Sequence, residues 1–496
     1  MENKTHSYNI FGKQIEYKWI ALSVTTIGAL MAAIDSTIVV LALPDMMVKL
    51  HADLIEMIWV IMGYILVSTV FLLTFGRVAD MLGRVRMYNL GFVIFTIGSA
   101  LCGFSGNAAQ LIIFRLVQGT GAAMMVVNSV AIITEVFPAN ERGKALGINA
   151  VTFSFGGVAG PILGGLILAV ADWRWIFFIN VPVGILGALW GYRVLKETGI
   201  RKKGESFDIV GAVSFSIGLT ALLIALTLGI ELSFLSPPIV LLFALFLVGI
   251  GFFLWWERRT ENPVLDFSLF NNRVYNFSVL SAMIQSLALF AVNFMIIFYL
   301  QGVLGYDALK AAFLLIPLPV MTSIIAPFGG MIADRIGARV PATIGLLIQG
   351  AALVGFLQLG PATPYWQIAL GLGVMGLGGG LFYPPNTSAA MNAAPKNRLG
   401  IASATLATLR QAGMVTSFAL SLAIAAGSLP RDVMMQLFVG TSVTLGSAPM
   451  LAFVTGMHSA FLVSIILVAV AATISFVRGK ENRSAHAGEP TSAIVE

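Results

Sequence analysis

Cysteine occurs once in this chain, at Cys102 inside an apolar run, and histidine four times, at His6, His51, His458 and His486. That excludes a disulfide framework and a thiolate metal site. Of the histidines, His458 alone is near an apolar run, so no pair is available to hold a haem, which argues against a haem-binding respiratory subunit. Charged residues make up 10% of the 496, against roughly 25% in soluble domains. There is no G-x4-G-K-[ST] phosphate loop and no soluble catalytic domain, so no nucleotide is used and the chain is not expected to be an enzyme. No cofactor and no metal is implied. The net charge of +6 does not indicate nucleic acid, because the basic residues sit in short loops where they set orientation.

What is abundant is apolar length. Hydrophobic residues are 58% of the chain and the mean hydropathy is +0.92. A bilayer core needs about 20 apolar residues per helix. Fourteen such runs are readable, at 19–43, 57–76, 87–105, 109–134, 145–169, 175–195, 208–229, 237–256, 275–300, 310–332, 340–359, 365–390, 399–427 and 450–477. The first is too long for the core of a cleavable signal and is expected to remain as a span. With both termini cytoplasmic, twenty-three Lys and Arg fall on the inside and four, Lys49, Arg174, Lys310 and Arg431, outside. Arg115 and Arg410 lie within spans. That asymmetry supports both the count and the orientation. The expectation is an all-α polytopic protein of the plasma membrane.

The pattern G-R-V-A-D-M-L-G-R-V-R at 76–86 returns as G-M-I-A-D-R-I-G-A-R at 330–339. Gly76, Asp80 and Gly83 map onto Gly330, Asp334 and Gly337 at one offset of 254 residues. A membrane chain with repeated halves is most economically a two-bundle transporter. The reading is 6 + 2 + 6: an N-terminal six-helix bundle over 1–200, a two-helix insertion over 201–262, a C-terminal six-helix bundle over 263–478 and a disordered cytoplasmic tail over 479–496. The outside segment 428–449 is long and half apolar, and is read as a hairpin or a surface-lying stretch.

Several ordered motifs closely resemble the major facilitator superfamily, specifically its fourteen-span drug:proton antiporter branch, the EmrB/QacA-like group. They are I-D-S-T-I-V-V-L-A-L-P at 34–44, the hinge at 76–86, R-L-V-Q-G-T-G at 115–121, G-G-V-A-G-P-I-L-G-G at 156–165 and W-R-W-I-F-F-I-N-V-P-V-G at 173–184. The resemblance implies two pseudo-symmetric bundles and antiport rather than import. The first hinge departs from the usual pattern at Met81, where the family generally carries a basic residue that Arg335 keeps in the second copy. The first hinge is therefore expected to lock less firmly.

Single residues carry the mechanism expected. A carboxylate inside a span is costly when ionised and so is disposed to exchange protons, which singles out Asp35. It lies about 13 Å from the outer helix end, and Arg115 about 9–12 Å in, at about 1.5 Å per residue. The two can face each other; the alternative is a structural ion pair that only orients the bundle. Glu135, near the inner end of span 4, either relays protons or is a solvated helix-end acid. Arg410 contacts substrate, balances a carboxylate or bonds backbone carbonyls. Gly156, Gly160 and Gly164 share a helix face, with Pro161 beside them, and are read as packing that controls a gate. Asp80 and Asp334, with Gly76, Gly83, Arg84 and Arg335, are read as the inner gate, in tight Gly-turned loops. Gln118, Asn128, Phe153, Asn293, Phe294, Phe298, Tyr383, Asn386 and Gln411, with Arg410, are candidates for the substrate cavity, since promiscuous pockets combine aromatic surface with a few polar anchors.

The function expected is export of amphipathic small molecules against protons, by alternating access, as in multidrug resistance. The chain is expected to act as a monomer in the bilayer. The alternatives are a major facilitator exporter or symporter of one metabolite, and a membrane redox or enzyme subunit.

Overall fold

The computed structural model describes residues 7–10, 13–52, 54–197, 208–260, 263, 265–306, 308–428 and 447–479. Two short strands, β1 (Ser7–Ile10) and β2 (Lys13–Glu16), form an antiparallel hairpin ahead of the first helix. That hairpin lies in the polar N-terminal tail, outside the helical body. The body of the protein is helical.

The helices, in chain order, are α1 (Tyr17–Lys49), α2 (Leu54–Leu82), α3 (Arg84–Gly103), α4 (Ala108–Val136), α5 (Arg142–Val170), α6 (Trp175–Phe178), α7 (Asn180–Val194), α8 (Ile209–Leu232) and α9 (Pro237–Glu257). There follow α10 (Arg273–Phe298), α11 (Ala308–Leu314), α12 (Pro317–Ile336), α13 (Arg339–Phe356), α14 (Tyr365–Ala393), α15 (Leu399–Ser428) and α16 (Ser447–Val477). Among the described residues ten helices are long and apolar enough to cross a membrane: α1 to α5, the α6–α7 pair, α9, α13, α14 and α16. Beside them run α8, α10, α12 and α15, of 24, 26, 20 and 30 residues. Leucines and valines such as Leu186, Leu241, Leu247 and Val248 face outward. An apolar surface of that extent fits lipid and not water. The protein is a multi-pass membrane protein.

Hydropathy and helix boundaries part company at the hinges. The second run was read to end at residue 76 and the tenth at 332, but α2 continues to Leu82 and α12 to Ile336. Asp80 and Asp334 therefore sit in the last helical turn, not in a loop. Gly83 (φ 112°) and Gly337 (φ 95°) then turn the chain in a conformation that side-chain-bearing residues rarely adopt. The expected sixth span is interrupted at Ile179, between α6 and α7. The tenth is split into α11 and α12, with Pro317 starting the second piece. Residues 429–446, on which the expected outer hairpin depends, lie outside the described residues.

Two sets of helices pack mainly among themselves. In the first, α4 lies against α3 and α2, and α1 against α5 and α4. In the second, α14 lies against α12 and α13, and α10 against α15 and α16. The sets meet chiefly where α5 packs on α12 and α2 on α15. Both junctions run glycine against backbone. A Cβ on Gly76 would lie 2.3 Å from Ala404 Cβ and 2.7 Å from Gly400 O, and one on Gly330 would lie 2.0 Å from Gly143 O. The α8–α9 hairpin packs on itself through Gly218 and Gly249 and touches α2 and α15.

Candidate functional site

The deep charged pair forms. Asp35 on α1 and Arg115 on α4 are bonded at 2.7 Å, Nη1 to Oδ2, and are 0% and 1% exposed. Burying two charges repays their lost hydration only when the remaining donors and lone pairs are also satisfied. Here they are. Asp35 Oδ1 accepts from Gln118 Nε2 at 2.7 Å and from Asn180 Nδ2 at 3.0 Å. Arg115 donates through Nε to Val60 O and through Nη1 to Gln118 Oε1. Its guanidinium stands 4.1 Å from the centre of the Tyr64 ring and 5.8 Å from that of Phe177. The Cys102 thiol donates to Gln118 Oε1 at 3.7 Å.

Helix packing places each group. Gln118 follows Arg115 by one turn on the same face of α4. Gly98 lets α3 approach the Gln118 backbone, where a Cβ would stand 2.7 Å from its Cα. Asn180, Gly184, Gly187 and Gly191 form the buried face of α7. The glycines bring that helix against Thr96, Phe92 and Asn89 of α3. Asn180 was not among the candidates read from the sequence. The signal available was its place at the head of that glycine stripe. The stripe of α5 also serves this site. A Cβ on Gly156 would lie 2.6 Å from Ala33 Cβ, and one on Gly160 2.9 Å from Ile34 O. Gly164 is likewise buried. The stripe seats α5 on α1 at either side of Asp35 and takes no part in the α5–α12 junction, which uses Gly143 and Gly147. The Pro161 side chain is outside the described residues.

The hinge residues form a second cluster, at one end of the helices. Asp80 accepts from Arg84 Nε and Nη2 at 3.0 and 2.8 Å and from the backbone N–H of Gly400 and Ile401, both at 3.0 Å. Asp334 accepts from the N–H of Gly143 and Lys144, both at 2.9 Å. Each acid thus caps the second and third residues of a helix in the other set, where unpaired N–H groups and the helix dipole favour a negative charge. Arg84 goes on to Glu135 at 2.7 Å and to Lys396 O at 3.0 Å. Glu135 therefore groups with the hinge and not with the Asp35 pair. Arg142 crosses the same junction to Asn392 Oδ1 at 2.6 Å. The depth of the two hinges runs against the expectation that the first is the weaker. The Asp80 side chain is wholly buried and bonded to an arginine as well as to two N–H groups, while Asp334 is half-buried and Arg335 is exposed. A basic side chain at position 81 is not needed when Arg84 already holds the acid.

The glycine contact at Gly330 makes a prediction. Gly330→Ala puts a methyl group against the Gly143 backbone, which cannot rotate away, so α12 is expected to stand off α5. A cysteine reporter at Ala333, 4% exposed in the native packing, should then react with a water-soluble maleimide about tenfold faster. Cys102 is fully buried and gives no background.

The Major Facilitator Superfamily profile matches residues 25–418. The chain belongs to that superfamily. It is similar to the riboflavin transporter RibZ of Clostridioides difficile, 32% identical over 82% of this chain and 88% of the relative. It is similar also to the multidrug resistance protein Stp of Mycobacterium tuberculosis, 32% identical over 81% of this chain and 74% of the relative, and to the multidrug transporter protein MdtP of Bacillus subtilis, 31% identical over 81% and 74%. Among solved structures, the human organic anion transporter MFSD10 superposes with a TM-score of 0.62 at 16% identity, over 91% of this chain and 99% of that one. The proton:xylose symporter XylE gives 0.64 at 13% identity, over 95% and 98%. At such identities the two structures speak for the fold alone.

In this major facilitator fold the remaining candidates scatter. Tyr383 is half-buried and its hydroxyl accepts from Gln285 Nε2 at 2.9 Å. Gln285 is fully buried, its Oε1 meets no donor, and it also reaches Gln349 Oε1 at 3.4 Å. It was missed because a lone amide in an apolar run carries no pattern. Arg410 and Gln411 are half-buried, and among the described residues Arg410 meets no acid. Three cavity candidates are corrected, since they are buried in packing. Phe298 lies in the hydrophobic core. Asn128 donates to Met124 O within its own helix. Asn386 is bonded to Ser278, Ser281 and Arg478. Arg478 is 1% exposed and reaches Ser278 Oγ as well. Phe153 is 50% exposed, and the side chains of Asn293 and Phe294 lie outside the described residues.

Proposed function

We propose that this chain is a proton-coupled exporter of amphipathic small molecules, working by alternating access, with Asp35 as the proton carrier. The observation that carries the reading is a carboxylate bonded to an arginine where neither meets solvent, inside a transporter fold. An acid–base pair at that depth has two neutralisation states: paired with each other, or opened, with a proton on the acid. A membrane potential or pH gradient can drive the exchange between them. Relatives that bear multidrug names support amphipathic cargo. The similarity to a riboflavin transporter favours, as second reading, a carrier dedicated to one metabolite.

The wider reading is a fourteen-span protein, 6 + 2 + 6, in the plasma membrane with both termini cytoplasmic, acting as a monomer. The four long helices beside the ten apolar ones supply the added spans. The Asp80 and Asp334 caps then lie on the cytoplasmic side, and their closure describes a conformation shut toward the cytoplasm. Arg84 and Glu135 belong to that gate. Gln118, Tyr383, Arg410 and Gln411, with Phe153, Asn293 and Phe294, are proposed for the cavity.

The test is net substrate transport in proteoliposomes with and without an imposed pH gradient. An antiporter concentrates substrate only with the gradient, a facilitator never does, and a symporter moves it the opposite way. Charge on the substrate gives a further expected result. Asp35 is already matched by Arg115, and Arg410 adds a cation with no acid beside it. Dications should therefore compete at least tenfold more weakly than matched monocations for transport of a shared fluorescent substrate. Stronger competition by the dications overturns this reading of the cavity.

A further inference from the structure

Resting on the reading of Asp35 as proton carrier, we propose that Asn180 is a positioning residue of the proton site: it occupies a lone pair of the Asp35 oxygen that does not face Arg115 and so sets how readily that oxygen takes a proton. Asp35 Oδ2 faces the Arg115 guanidinium at 2.7 Å, and that positive charge opposes a proton there. Oδ1 is the oxygen left, and it accepts from two amides, Gln118 Nε2 and Asn180 Nδ2. For a proton to bind at Oδ1, one amide has to give way.

The two amides are not equivalent. Gln118 is held from both ends. Its Nε2 serves Asp35 while its Oε1 accepts from Arg115 at 2.7 Å and from the Cys102 thiol. Turning it over would aim its NH2 at the guanidinium. Asn180 is held on one side. Its Nδ2 is shared between Asp35 Oδ1 at 3.0 Å and Ser99 Oγ at 3.2 Å, and among the described residues no donor reaches its Oδ1. Ser99 directs its own proton to Phe177 O at 2.9 Å. The Asn180 amide can turn or withdraw without breaking any bond made by Arg115. Asn180 therefore sets how readily Asp35 gains its proton, and Gln118 holds the arginine.

The other groups facing Asp35 leave this assignment in place. Arg115 comes from α4, Tyr64 from α2 beneath the guanidinium, and Cys102 from α3 onto Gln118. The ionisable residues of α5, Arg142 and Lys144, lie in its first turn, and those of α7, Tyr192 and Arg193, in its last. The acid is thus titrated against Arg115 and two amides, of which Asn180 alone is free to move.

The test needs no substrate. The infrared carbonyl band of a protonated Asp35 is followed against pH in the purified full chain and assigned by its loss in Asp35→Asn. Removing a hydrogen bond to the ionised form in Asn180→Leu should raise the midpoint by about one to two pH units. Asn180→Asp should raise it further, since two neighbouring carboxyls share a proton. Asn180→Gln, which keeps the donor, should restore the midpoint. A packing role alone would lower the yield of folded protein and leave the midpoint where it was. An unmoved midpoint in folded Asn180→Leu and Asn180→Asp overturns the inference. If no band sensitive to Asp35→Asn titrates even in the wild type, it is the proton-carrier reading that fails instead.

Discussion

Asp35→Asn is expected to abolish uphill efflux. The asparagine keeps the size of the side chain and an oxygen for Gln118 and Asn180 to reach, but it cannot carry a proton. Counterflow without a gradient should persist, because substrate exchange needs the helices to move and not the acid to titrate. The change also has a cost in stability. Arg115 is 1% exposed, and losing its partner leaves a buried charge unpaired, worth about 3–5 kcal/mol in buried pairs generally. The variant should therefore melt earlier in detergent. Adding Arg115→Gln should recover much of that loss without recovering coupling. Proton-driven transport at the wild-type rate in Asp35→Asn would end the coupling assignment.

Asp80→Asn should open the hinge end, and do so more than Asp334→Asn. The wholly buried Asp80 carboxylate is tied to Arg84 and to two backbone N–H groups. An amide cannot accept from all of them, and Arg84 is left with Glu135 and the Lys396 carbonyl. A hydrogen bond to a charged group contributes about 1.5–3 kcal/mol, so the population with the α2–α15 junction apart should grow ten- to a hundredfold. Asp334 gives up less, being half-buried. Distance distributions by double electron–electron resonance between spin labels on α2 and α15, and between labels on α5 and α12, would decide. Equal shifts in the two variants would contradict the ranking, and no shift in either would refute the gate.

Both predictions depend on residues that were legible to different degrees. Asp35 and Arg115 could be matched in depth from the sequence because helix rise is fixed and each lies in a well-marked run. Gln118 came with Arg115 through helical spacing. The hinge repeat located Asp80 and Asp334, but hydropathy reports contact with lipid and not the extent of a helix, so both were assigned to loops when each ends a helix. Their partners, the N–H groups of Gly400 and Gly143 and their successors, are backbone and leave no mark in side-chain pattern. The ranking by Met81 leaves out Arg84, which bonds Asp80 from just beyond the turn at Gly83. Asn180 and Gln285 are single amides among apolar neighbours. What makes them notable is the helix opposite, which sequence order does not reveal. The aromatic candidates divided by that same rule, with Phe298 in the core and Phe153 at the surface.

The α8–α9 hairpin sits across a joint. It touches α2 and α15, which belong to different sets and must part if the sets rock. Phe215, Leu219, Leu223 and Phe253 lie there with Val70, Leu73 and Ala404 in one apolar cluster. The directional bonds at its foot, Asp208 to the Trp256 indole and to the Gly211 N–H, close within the hairpin. Apolar contact has no preferred register, so one surface can slip over another with little change in energy. On the alternating-access reading proposed above, the two helices would act as a bearing: they would seal the joint against lipid while the parts beneath them turn.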